Sequence, residues 1–236
     1  MEETQFIRTE SLLGTEAMNT LGNARVAVFG VGGVGGYVIE ALARSGVGAL
    51  DIVDNDTVAI SNINRQIIAT HSSIGKYKVD VMKDRILDIN PDCHVKTYRC
   101  FYLPETADQF DFSVYDYVVD AVDTVTAKLQ IVMEAKGAGV PVISSMGAGN
   151  KLNPAEFCVA DIYKTSMDPL AKVMRKELKK RGVDSLKVVY SQEKARKPLV
   201  ELKSNKRSTP GSIAFTPSVV GLIIASEVIK DISNIS

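Results

Sequence analysis

Hydrophobic positions along this chain alternate between two spacings, and the alternation predicts strands interleaved with helices. Val26 to Gly30 is a continuous apolar run of the kind carried by a strand buried on both faces. It leads directly into a cluster of glycines, after which Val34, Val38, Ala41 and Leu42 recur at helical spacing until Gly46 stops them. Leu50, Ile52 and Val53 make a second short strand that ends on Asp54. Lys78 to Asn90 predicts a helix with Val79, Met82, Ile86 and Ile89 on one face and Pro91 closing it. His94 to Arg99 reads as a strand and Leu103 to Phe110 as a short helix. Tyr117 to Val122 is a buried strand running into Asp123 and Thr124, followed by a helix over Val125 to Ala138 and a strand over Pro141 to Ser145. Glu2 to Gly22 predicts one N-terminal helix. In the last third, Glu156 to Ile162 and Leu186 to Tyr190 predict strands and Pro169 to Arg181 a basic helix. A final helix is expected after Pro217 with Ser218 as its cap. The fold class expected is α/β: a Rossmann-like, mostly parallel sheet with helices on both faces, plus a C-terminal strand and helix extension. Residues 1–150 are expected to form the core and 151–236 the extension.

The glycines decide what the first unit can hold. Gly30, Gly32, Gly33, Gly35 and Gly36 stand between a strand and a helix, and Asp54 follows nineteen positions after Gly35. That is the mononucleotide-binding pattern, with the acid placed for ribose hydroxyls. Backbone without β-carbons approaches a phosphate closely, and the helix N-terminus directs its free N–H groups at the anion. Asp54, Asp56, Ser61, Asn62, Arg65 and Gln66 then fall within thirteen residues, with Lys78 after them. A diphosphate is largely satisfied by a helix terminus, whereas a triphosphate calls for the added cations and a metal. Read as isolated residues, Arg65 and Lys78 serve equally as surface charges, and Asp123 as a cap of the helix behind it. Lys128 and Asp120 read as structural.

Composition narrows the setting. The chain has 236 residues, 45% hydrophobic and 24% charged, enough for one sizeable core in an ordinary globular protein. Cys93, Cys100 and Cys158 are three in number and include no CxxC, which argues for a reducing, cytoplasmic compartment without a disulfide framework or a cysteine zinc site. No secretory signal is evident at the N-terminus. The longest apolar stretch, Ile213 to Ile229, is interrupted by Pro217, Ser218, Ser226 and Glu227 and is too short for a membrane span. Net charge is zero, yet residues 151–210 hold 15 lysines and arginines against seven acids. A basic section on an otherwise acidic chain suits a phosphate-rich partner or a solvated helix face. Ser191 to Pro210 is a lysine-rich candidate binding loop.

The segment DNDTVAISNINRQ with a lysine downstream resembles the ATP-binding signature of the E1-like activating enzymes, which adenylate carboxylates. The resemblance implies ATP and Mg2+ as cofactors. Arg65 and Lys78 would meet the phosphates, Asn62 would support them, and Asp54 would hold the ribose. Asp123 would be the magnesium carboxylate, with Thr124 beside it where sulfur-carrier activators usually have Asn. Arg8 would reach the phosphates of a neighbouring subunit in a homodimer. GVGGVGGYVIEALARSGVG, DAVDTVTAK, DIYKTSMDPLAKVMRKELKKRGVDSLKVVYSQEKARKP and PGSIAFTPSVVGLIIA are most similar to the tRNA threonylcarbamoyladenosine dehydratases within that family. That likeness implies a tRNA bearing threonylcarbamoyladenosine as substrate, cyclised to a hydantoin through a carboxyl-adenylate; a sulfur-relay protein is a candidate further partner that the sequence leaves open. Lys172, Arg175, Lys176, Lys179, Lys180 and Arg181, with Lys194, Arg196 and Lys197, are the candidate contacts to tRNA phosphates. Two other functions share the pattern: activation of a ubiquitin-like or sulfur-carrier protein, and NAD-dependent oxidoreduction. A nucleotide-binding regulator without catalysis is the third. No cysteine follows Cys158, which weighs against thioester transfer.

Overall fold

The computed structural model describes residues 3–200 and 210–235. Among them, seven strands form one sheet in the order β3-β2-β1-β4-β5-β7-β6. The strands are β1 (Arg25–Phe29), β2 (Ala49–Val53), β3 (His94–Tyr98), β4 (Tyr117–Asp120), β5 (Val142–Ser145), β6 (Phe157–Asp161) and β7 (Lys187–Ser191). Every neighbouring pair is parallel except β6 with β7. The apolar runs account for this arrangement: in β1, Val26 and Val28 enter one core and Ala27 and Phe29 the other, so both faces are covered.

One face carries α2 (Thr15–Asn23), α3 (Gly35–Arg44), α4 (Lys78–Ile89) and α7 (Phe215–Ser233); the other carries α5 (Val125–Gly137) and α6 (Pro169–Lys180). The expected single N-terminal helix is in fact two. It breaks at Gly14, whose φ of +86° ends α1 (Ile7–Leu13) and whose N–H donates to the Glu10 carbonyl at 2.8 Å. The short helix expected from Leu103 is a 3-10 run over Pro104–Gln109. At the other end α7 starts before Pro217, which occupies the first turn where no backbone donor is needed, so Ser218 is not the cap. Pairing of β7 with β5 draws the last third of the described chain into the same sheet as the first. The expected loop over Ser191 to Pro210 falls partly outside the described residues.

With β1 flanked by β2 and β4, the chain reverses its winding between them, and a crevice opens beyond the carboxyl ends of these strands.

Candidate functional site

A cavity of about 730 Å³ occupies that crevice. Its floor is the glycine turn after β1, and the glycines divide by role. Gly30, at φ +95°, lies so close to β4 that a β-carbon would fall 2.7 Å from the Ala121 carbonyl oxygen. A β-carbon at Gly35 would meet the Gly30 carbonyl oxygen at 1.8 Å, so Gly35 lets the turn fold onto itself and does not line the cavity. Gly32 is the open one, with only Gln66 Nε2 within 4.0 Å of the site of a β-carbon. Gly33 packs on Pro217 and Arg65.

Asp54 follows β2, and its two oxygens accept from the backbone N–H groups of Val31 and Asp56, each at 2.8 Å. Burial raises its carboxyl above the usual value, against the nearby Lys78 charge. Lys78, the first residue of α4, is almost fully buried and lies 2.7 Å from Asp56 and 3.8 Å from Asp54. Asp56 thus anchors the lysine. Arg65 is half-buried and donates through Nη1 to the Ser61 carbonyl and the Asn64 side chain, both at 2.9 Å. It has no acid partner among the described residues, and burial pulls its guanidinium down from the usual range. Asn62 Oδ1 accepts from Ala59 N–H at 3.0 Å and so shapes the 3-10 turn Ile60–Asn62. The Gln66 side chain is buried with Oε1 unpartnered, an acceptor or, with its amide flipped, a donor held beside Gly32. Asp123 is exposed on the cavity wall and accepts from Thr124 Oγ1 at 3.3 Å; it makes no cap to α5, whose cap residue is Thr124. Thr124 does not line the cavity. Beneath lies a buried pair that the reading of Lys128 and Asp120 as structural anticipates. Lys128 Nζ sits 3.1 Å from Asp120 and donates to the Ser145 carbonyl at 2.7 Å, fastening α5 to the ends of β4 and β5.

The remaining candidates lie elsewhere. Arg8 is exposed on α1 and contributes nothing to the cavity of its own chain. Lys172, Lys176 and Lys179 are exposed on α6, and Lys194 and Lys197 on the segment after β7. Lys180 and Arg181 pair with Glu177 at 2.7 and 2.8 Å and hold its carboxyl down at about 2. Arg196 pairs with Glu193 at 3.3 Å. Arg175 is engaged differently from the lysines of α6: its Nη1 turns inward onto Thr165 and the carbonyl of Ile162, tying α6 to the turn before it.

Sequence reasoning missed part of the wall. Cys100, Phe101 and Tyr102 after β3 line the cavity, as do Ala148, Gly149, Pro210, Gly211 and Ser212. Asn64 and Asn150 hold the last of these, through bonds to Ser212 and Gly211. Neutral amides on turns give no charge signal, and only the folded chain brings them to the wall.

The family model that matches is described as the ThiF family, and it spans residues 6–236. The chain belongs to the ThiF family. Within ThiF proteins it is similar to the tRNA threonylcarbamoyladenosine dehydratase of Bacillus subtilis, 47% identical over 242 residues covering 97% of this chain and 94% of the relative. The Escherichia coli protein of the same description is 38% identical over 175 residues, 74% of this chain and 65% of the relative. Solved structures of the E. coli dehydratase, one with AMP and one with ATP bound, superpose at a TM-score of 0.89 with 32% identity, covering 98% of this chain and 94% of theirs. The ThiF assignment therefore agrees with the E1-like resemblance read from the glycine turn and the segment after Asp54.

Proposed function

We propose that this protein cyclises N6-threonylcarbamoyladenosine in tRNA to its hydantoin, using ATP to activate the threonyl carboxylate. One observation carries the reading: Gly32, Asp54, Arg65, Lys78 and Asp123, from separated segments, line a single cavity at the carboxyl ends of parallel strands. The 47% identity to a dehydratase over nearly the whole chain supports it. In the first step a carboxylate oxygen attacks the α-phosphorus of ATP and pyrophosphate leaves. The ureido nitrogen then attacks the activated carbonyl carbon, loses its proton, and closes the ring as AMP departs. A free carboxylate is a poor electrophile, so the adenylate supplies the leaving group. The protein aligns the two reactants and offsets charge on the phosphates. Glycine-turn amides, Arg65 and Lys78 face the phosphates, Gln66 offers its amide beside them, and Asp54 takes the ribose hydroxyls.

Among the described residues no group of three or more histidines, cysteines or acids could hold a metal unaided. Asp123, a single exposed carboxylate on the cavity wall, suits a magnesium ion that takes its other oxygens from phosphate and water. When bound, such an ion neutralises phosphate charge. We place Arg8 in the site of a second copy within a homodimer, which fits its exposure outside its own cavity. Exposed lysines of α6 and the segment after β7 would meet the tRNA backbone, in the cytoplasm, where a sulfur-relay protein is a further partner. Against an NAD-dependent oxidoreductase stand the two cations at the cavity, which a dinucleotide diphosphate does not require.

The test is incubation with ATP, magnesium and threonylcarbamoylated tRNA, followed by mass measurement of the digested nucleoside. Loss of one water from the modified nucleoside is expected. Unchanged mass with bound ATP would leave a nucleotide-binding regulator or an activator of a carrier protein.

A further inference from the structure

Pro210, Gly211 and Ser212 share the nucleotide cavity with Arg65, although they lie far along the chain. Asn64 is the link. Its Nδ2 donates to the Ser212 carbonyl at 2.9 Å, while its Oδ1 accepts from Arg65 Nη1 at 2.9 Å. One planar amide therefore holds the half-buried cation with one end and the 210–212 wall with the other. A second clasp acts independently of Arg65: Asn150, at φ +60°, donates its N–H to the Gly211 carbonyl at 2.8 Å and accepts from Gly211 N–H at 2.6 Å.

We infer that Asn64 is a positioning residue that couples nucleotide binding to the 210–212 wall of the site. The inference rests on the ATP-dependent reading above. Arg65 lacks an acid partner among the described residues, so a phosphate is the group that fixes its guanidinium in one fork geometry. Because Asn64 Oδ1 is bonded to that guanidinium, fixing the one orients the other, and the amide's rigid plane carries the constraint to the Ser212 carbonyl. Coupling of this kind is reciprocal: a settled wall favours nucleotide as nucleotide settles the wall.

Hydrogen exchange on the full chain, with and without ATP and magnesium, reads the coupling through peptides covering 211–216. In the wild type, ATP is expected to slow exchange there about fivefold or more, the lower range of ordinary coupling. Asn64→Ala, at an exposed position, should lose this ATP-dependent slowing at ATP concentrations that a separate titration shows to be saturating. Asn150→Ala should exchange faster in both states and retain the slowing, as a merely structural clasp would. Equal slowing in Asn64→Ala and wild type overturns the inference, as does no slowing in wild type with ATP bound. Absence of ATP binding to the wild type in the titration overturns the functional reading itself.

Discussion

Asp54 is asked to do two things that oppose each other. It is largely buried, which favours the protonated form, and in the role proposed for it, as a ribose acceptor, it is most effective ionised. Its folded value is raised above the ordinary 3.8, so ionisation costs stability as pH rises from there through the folded value. Nucleotide affinity runs the other way and weakens as pH falls through the same range. Lys78→Met removes the cation that opposes the burial, so the midpoint of ATP affinity against pH should move upward, beyond a general loss of affinity; titrations across acid pH check this. A midpoint that stays put would detach Lys78 from Asp54. For Asp123→Asn, kcat should fall by about 10²–10³, while ATP affinity measured without magnesium is unchanged. At this scale the convergence of Asp54, Arg65, Lys78 and Asp123 on one cavity was legible, because a carboxylate or guanidinium at a set distance from a glycine turn is a readable signal. Gly35, Asn64 and Asn150 were not, since their roles depend on what the fold brings within a few ångströms.

The unit from β1 through the glycine turn to α3 and β2 was legible because each boundary has a local cause: a β-branched run, a turn only glycine permits, a helix stop at Gly46. Where long-range packing decides, the reading slipped. Gly14 ends α1 within what looked like one helical pattern, and the start of α7 before Pro217 follows from where that helix packs. The α7 and α3 helices meet at a tight point of their own. A β-carbon at Gly221 would sit 2.5 Å from the Val34 carbonyl oxygen and 2.8 Å from Tyr37 Cβ, so α7 lies directly against the first turns of α3. Gly221→Val should therefore push α7 away, at about 1–3 kcal/mol or more, seen as a lower Tm. Because Pro217 of the same helix packs on Gly33, ATP affinity should fall with it. Unaltered affinity in a destabilised Gly221→Val would show that the turn does not need the helix.

For the whole molecule, the alternation of strands and helices announced the α/β class, but strand order and the reversed β6 follow from pairings across distant segments. The exposed lysines of α6 form a surface feature and predict a surface experiment. Reversing Lys172, Lys176 and Lys179 to Glu together should weaken tRNA binding and flatten its salt dependence by about 0.7–0.9 logarithmic unit for each phosphate no longer neutralised, with ATP affinity unchanged. Arg175→Ala should instead lower stability, because that side chain is bonded inward. Arg8 gives a test of assembly. On the proposal that Arg8 completes the site of a second copy, mixed dimers of Arg8→Ala and Lys78→Met would contain one site with both groups intact, so mixing two inactive proteins should restore about a quarter of wild-type turnover, the statistical share for random pairing. Strand order also has a consequence for synthesis. β7 slots between β5 and β6, and α7 covers a helix made more than 170 residues earlier. A nascent chain that has already built its nucleotide turn must carry an unpaired edge on β5 until β7 emerges, and the bare flank of α3 until α7 does. Sensitivity to translational pausing between the codons of α3 and those of α7 is the expected consequence of that geometry.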